Sequence, residues 1–212
     1  MNLLLGPPGL QYPFSFSLPD TELGIWMSGG LDSMALLCVM LTELRNTNDS
    51  RTITAFTACK EDLSVSYAAR NLQVIEQEFG VSITHINEIA NNAMNMGMIG
   101  NSASLFVAKN YPNMTVYQGA NNPPHPSFLT LHRATRYSTD LYDDKIFNSP
   151  FLFLHKPQIL DIFYKLRLHH LIPYSHSCNV CDTETCGKCN SCVERAWGFS
   201  LLGKLDSETI PL

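Results

Sequence analysis

The chain has 212 residues, enough for one sizeable core or for one core with a small appended lobe. Apolar residues make up 45% and charged residues 16%, which excludes a disordered polar chain, and a formal charge of −5 argues against general attraction to nucleic-acid backbones. No apolar run reaches membrane-spanning length, and the opening MNLLLGPPGL lacks a basic start and is broken by Pro7 and Pro8, so it reads as a leading loop or edge segment.

Residues 23–27 (LGIWM) form a short apolar run ending at Ser28-Gly29-Gly30, as a buried strand should. The spacing then predicts a helix over 32–45, with Asp32 and Ser33 in its first turn. β-Branched and aromatic residues predict a second strand at 52–59. A helix from Ser64 to Phe79 follows, stopped by Gly80. Strands at 82–87 and 115–121 flank a helix near 101–110. Residues 121–150 are polar and interrupted by proline, and read as a long loop of the kind that faces substrate. Helical spacing returns over 156–171, and a short helix near 191–203 follows the cysteines. Strands alternating with helices predict an α/β fold, a parallel sheet with right-handed crossovers and helices on both faces. The expected division is an α/β domain over 1–172 and a small C-terminal lobe over 173–212.

The six residues Ser28, Gly29, Gly30, Leu31, Asp32 and Ser33 join the first strand to its helix. Two glycines let the backbone turn tightly and present consecutive N–H groups to an anion, and the helix adds its positive end. Ser28 and Ser33 supply hydroxyls at the rim. Asp32 would repel bare phosphate, so it makes sense as a holder of Mg²⁺ on ATP oxygens. The loop lacks the Gly-Lys-Ser/Thr ending of a Walker motif. A capped strand–turn–helix corner could also carry such residues, but their placement at the end of the first strand of a βαβα chain favours ATP. Lys156 begins a helix, where the dipole disfavours a cation, and an incoming pyrophosphate would rationalise it.

Five of the seven cysteines crowd between Cys178 and Cys192. In a chain without a secretory signal this favours metal over disulfides, and with it a cytoplasmic address. Cys186, Cys189 and Cys192 form two overlapping Cys-x-x-Cys turns suited to a structural Zn²⁺ site, with the fourth thiolate from Cys178 or Cys181. A redox or sulfur-carrying pair and an iron–sulfur cluster are the competing readings, and the close spacing and surplus of thiols favour zinc. Cys38 and Cys59 sit in apolar stretches as small buried hydrophobes.

Ser28-Gly29-Gly30-Leu31-Asp32-Ser33 resembles the PP-loop of the N-type ATP pyrophosphatases, enzymes with an adenine nucleotide alpha hydrolase-like fold that cleave ATP between the α- and β-phosphates. Together with Ser177-Cys178, Cys186-Gly187, Cys189, Ser191-Cys192, Arg195 and Gly198-Phe199, it is similar to the 7-cyano-7-deazaguanine synthase (QueC) family. That resemblance implies Cys178, Cys186, Cys189 and Cys192 as zinc ligands, with Cys181 spare. It also implies Asp32 and Lys156 as catalytic, and ATP, ammonia and a 7-deazapurine acid as partners in an ATP-dependent carbon–nitrogen ligase. A homodimer is compatible with the sequence. In the middle of the chain Tyr67-Ala68-Ala69-Arg70 stands where the family carries Tyr-Gly-Gln-Arg. Gly119-Ala120-Asn121 keeps the family's Gly-x-Asn, so Arg70, Gly119 and Asn121 are the expected substrate contacts. The family's Tyr-Pro-Asp-Cys-Arg stretch has no counterpart. Asn122, His125, Arg133 and Arg136 lie in the loop that replaces it. Gln158 stands where the family has glutamate. Three alternatives are a relative adenylating another acid or attaching a deazapurine to a macromolecule, a PP-loop tRNA sulfurtransferase using Cys181, and a non-catalytic homologue acting as a binding module.

Overall fold

Alternation along the strands decides the architecture. A computed structural model describes residues 1–58, 63–89, 106–121, 147–181 and 183–206. In β3 (Glu22–Trp26) Leu23 and Ile25 bury on one face, while Trp26 packs on the other. Ile53 and Ala55 of β4 (Ile53–Ala58) join the first face and Phe56 the second. In β6 (Met114–Tyr117) Met114 and Val116 take the second face and Tyr117 the first. A sheet buried on both faces is what parallel strands require. All ladders in this sheet are parallel, in the order β5 (Thr84–Ile89), β4, β3, β6, β7 (Phe147–Asn148). β7, two residues long, falls in the stretch predicted as loop.

Helix α1 (Leu31–Asn46) is apolar nearly all round, as a helix covered by both the sheet and other helices must be. Helix α2 (Ser64–Phe79) has the predicted bounds, and Gly80 ends it in the left-handed region at φ 65°. On the second face, Val107 of the helical segment 106–110 packs with Phe56, Met114 and Val116.

Two expectations need correction. The opening segment is a hairpin rather than a leading loop: β1 (Asn2–Leu5) pairs antiparallel with β2 (Tyr12–Ser15). Pro7 and Pro8 lie in its connection, where Leu10 N–H donates to the Pro7 carbonyl. Leu5, Phe14 and Phe16 reach the main core, with Phe14 against Phe151 and Phe16 against Tyr117. The helix predicted over 156–171 is shorter. Helix α3 (Lys156–Lys165) ends where Arg167 turns to φ 62° and Leu168 N–H closes on the Phe163 carbonyl. A 3₁₀ turn at His169–Tyr174 containing Pro173 follows. Helix α4 (Asn190–Leu202) then lies against α3, with Phe199 in the main core and Gly203 as its left-handed cap. No helix of the described residues is long and apolar enough to cross a membrane.

The strand order marks where a ligand crevice is expected. The chain winds outward from β3 through β4 to β5, then returns to β6 on the other side of β3. The two directions separate between β3 and β6, and ligands of open α/β sheets bind at the carboxyl ends of strands flanking such a point. Ser28–Ser33 leaves β3 there, and Gly119 leaves β6.

Candidate functional site

The loop is held from inside by its serines and from behind by α2. Ser33 Oγ donates to the Gly30 carbonyl at 3.1 Å, while Ser28 N–H donates to Ser33 Oγ at 3.3 Å. Gly30 N–H donates to Ser28 Oγ at 3.3 Å. Gly29 adopts φ 78°, and a Cβ there would stand 2.4 Å from Tyr67 Cβ, so only glycine fits. Its carbonyl accepts from Asn71 Nδ2 at 2.9 Å and from His176 N–H at 3.0 Å. The Tyr67 ring stacks on the His176 imidazole with centroids 4.2 Å apart. The carbonyls thus face protein, and the first-turn N–H groups of α1, which have no intrahelical acceptor, remain for an anion.

Gly119 explains the close approach of β6. A Cβ on it would come within 2.8 Å of the Asp32 carbonyl carbon and the Ser33 nitrogen. The end of β6 therefore rests on the first turn of α1. Two residues on, Asn121 Nδ2 donates to Glu194 Oε1 at 2.8 Å.

Lys156 joins these parts. Its ammonium donates to Asp32 Oδ1 and Oδ2 at 2.6 and 2.7 Å, and lies 3.6 Å from Glu194 Oε2. Its side chain is only 6% exposed, so the cation needs these carboxylates. Burial alone would depress the ammonium's pKa, but Asp32 and Glu194 outweigh it and the net shift is upward. Burial likewise raises the carboxyl of Glu194, against the opposing pull of Lys156. Gln158 also acquires a reason. Its Oε1 accepts from His155 N–H at 2.8 Å while Nε2 donates to the Leu10 carbonyl at 2.6 Å, a bond that a glutamate could not give. It fastens the N-terminal hairpin to the start of α3.

Arg70 meets Tyr67 and Tyr174. Its guanidinium lies 4.9 Å over the Tyr67 ring, and Nη2 donates to the Tyr174 carbonyl at 2.7 Å. Burial lowers its pKa. Of the residues expected to meet substrate, Gly119 and Asn121 sit beside the first turn of α1 and Lys156–Glu194, whereas Arg70 buttresses the Tyr67–His176 stack. Asn122, His125, Arg133 and Arg136 lie outside the described residues, as does Cys59.

The Sγ atoms of Cys178, Cys186, Cys189 and Cys192 all lie within 4.8 Å of one another, close enough to hold one metal ion. Backbone amides point at the sulfurs: Cys181 N–H donates to Cys178 Sγ at 3.2 Å, and Cys189 N–H to Cys186 Sγ at 3.2 Å. Burial works to raise the Cys178 thiol, but hydrogen bonds from the neighbouring chain prevail and bring it down to about 6. Such donors suit thiolates. Cys181 contributes its amide to the cluster while its carbonyl accepts from His176 Nε2 at 2.8 Å. Arg195, buried, donates to Asp206 through Nε at 2.8 Å and to Ser175 Oγ at 2.8 Å, tying the segment before the cluster to the chain after α4.

Sequence reasoning missed Glu194, Asn71 and His176. Glu194 stands two residues past Cys192 in a helix whose cysteines drew all attention, and nothing local reveals that it faces Lys156.

The family model of queuosine biosynthesis protein QueC matches residues 125–203, a span that contains Lys156 and all four clustered cysteines. The likeness read from the sequence stands over that span. No curated protein matches the chain. Among solved structures, U34-tRNA thiolase NcsA from Methanococcus maripaludis, with its [4Fe-4S] cluster, is 12% identical with a TM-score of 0.50. The match covers 90% of this chain and 75% of that one. FMN adenylyltransferase from Candida glabrata, in complex with FAD and inorganic pyrophosphate, is 13% identical over 70% of this chain and 50% of its own, with a TM-score of 0.45. NAD+ synthetase from Burkholderia pseudomallei is 14% identical over 88% of this chain and 76% of its own, with a TM-score of 0.40. The thiolase likeness bears out the α/β fold.

Proposed function

We propose that this protein is an ATP-using adenylating enzyme that cleaves ATP between the α- and β-phosphates and activates an acid for attack by ammonia. One observation carries the reading: the Ser28–Ser33 loop lies at the switch between β3 and β6, with the first turn of α1 opening there and the Lys156 ammonium fixed on Asp32 beside it. Amides of the first turn of α1 and the hydroxyl of Ser28 would hold the phosphates, with Ser33 bracing the loop from within. Asp32 is the group that would hold Mg²⁺, which when bound neutralises charge on the phosphate oxygens. Lys156 would stabilise negative charge on the departing pyrophosphate. The acid's carboxylate oxygen attacks the α-phosphorus, pyrophosphate leaves, and ammonia then displaces AMP. Positioning and charge stabilisation suffice, and no side chain becomes a covalent nucleophile.

For the acid we favour 7-carboxy-7-deazaguanine, taken first to its amide and then to the nitrile, a second ATP adenylating the amide oxygen so that it departs with AMP as the nitrogen gives up its two protons. The QueC match over residues 125–203 and the motif resemblance at both ends support this. Asn121, held on Glu194 beside Lys156, is the side chain best situated to meet the acceptor. The cysteine cluster fits a single structural Zn²⁺. Tetrahedral zinc–thiolate bonds place sulfurs about 3.8 Å apart, and the gap between Cys189 Sγ and Cys178 Sγ is 3.9 Å. An Fe₄S₄ cube stands between its thiolates and spreads them wider.

Calorimetric titration with 7-carboxy-7-deazaguanine, on protein saturated with an ATP analogue bridged by methylene between the α- and β-phosphates, tests the acceptor. Saturable heat is expected. No heat at millimolar acceptor, from protein that binds the analogue, removes the deazapurine and leaves the adenylating reading.

A further inference from the structure

The C-terminal lobe meets the Ser28–Ser33 loop directly at His176, whose N–H donates to the Gly29 carbonyl, and reaches Lys156 beside that loop through Glu194. Glu194 lies in the second turn of α4, and the helix is fixed on both sides of it. Cys189 caps the N-terminus of α4 and Cys192 lies in its first turn, both within the four-thiol cluster. One turn beyond Glu194, Gly198 meets α3 so closely that a Cβ would stand 2.9 Å from Lys156 Cγ and 2.8 Å from Leu160 Cδ1. The rotation and depth of α4 are thereby set, and Glu194 is delivered between Asn121 and Lys156. Oε1 accepts from Asn121 Nδ2, and Oε2 lies 3.6 Å from Lys156 Nζ.

Glu194 meets a need that the rest of the site creates. Both Asp32 oxygens are engaged by Lys156. Drawing Asp32 away to a cation would strand a buried ammonium, which is strongly unfavourable. With Glu194 present the ammonium need move only about 1 Å to reach a charge-assisted hydrogen-bond distance to a second carboxylate.

Resting on the adenylating reading above, we infer that Glu194 is a positioning residue: it takes over the Lys156 ammonium when Asp32 turns to the nucleotide's magnesium, and holds Asn121 alongside. The cysteine cluster would then act on the reaction through Glu194, by fixing α4.

Equilibrium binding of the methylene-bridged ATP analogue to the full chain, titrated with Mg²⁺, separates this from a structural role. In Glu194→Gln the half-saturating Mg²⁺ concentration for analogue binding should rise about tenfold or more, because the freed ammonium keeps Asp32. Bound metal per chain and melting temperature should stay near wild type, and Glu194→Asp should recover part of the shift. If the wild-type chain fails to bind the analogue, the adenylating reading itself falls. If wild type binds it and Glu194→Gln binds with the same Mg²⁺ dependence, Glu194 does not serve Asp32. Equal loss of metal and melting temperature in both Glu194 variants would make it a purely structural residue and overturn the inference.

Discussion

The Ser28–Ser33 loop and the cysteine turn are both short, polar and glycine-bearing, yet they are held by different means. The loop is fixed by the protein itself: its serines bond its own backbone, and Asn71 and His176 grip the Gly29 carbonyl from outside. Around the cysteines there is little apolar cover, with Val180 72% exposed and Cys186, Lys188 and Cys189 at or near the surface. There backbone amides reach the sulfurs, and a metal held by the four thiolates would supply further order. A preformed backbone nest suits a substrate that comes and goes, whereas a closed thiolate site suits a permanent staple.

The largest effect should come from breaking the staple. Zinc ligation by four thiolates is worth on the order of 10 kcal/mol of apparent binding energy, so Cys189→Ser should lose the metal and expose residues 178–192 to proteolysis. Cys181→Ser, outside the cluster, should keep both metal and AMP formation. Metal analysis and limited proteolysis check this, and equal damage from both variants would mean that the ligand set is wrong.

A smaller effect sharpens the contrast from the other side. Gly29→Ala forces a side chain into the left-handed region and against Tyr67, costing about 1–3 kcal/mol. The melting temperature should fall by several degrees while the metal content stays at one ion per chain, and ATP turnover should be lost. Metal loss in this variant would show that the two regions are not separately held.

Local chemistry was legible in the sequence, and long-range pairing was not. Gly80 announced the end of α2, and the β3–α1 corner announced the loop, because each depends on residues within one turn of itself. The hairpin at the start was hidden because its strands are four residues each and Pro7, Pro8 and Pro13 break the alternation. The placement of Lys156 at a helix start hinted at function, but its partner Asp32 lies 124 residues earlier. Glu194 carried no such hint, since a glutamate in a helix is ordinarily a solvated residue. Only the packing of α4 on α3 at Gly198 turns it inward.

The central claim is cleavage of ATP at the Ser28–Ser33 loop between the α- and β-phosphates. Phosphorus NMR of ATP and Mg²⁺ incubated with the full chain, 7-carboxy-7-deazaguanine and ammonia tests it most directly. The account predicts AMP and pyrophosphate in equal amounts, with neither formed by Asp32→Ala protein that keeps its fold and metal. ADP and inorganic phosphate as the products, with no AMP, would contradict it.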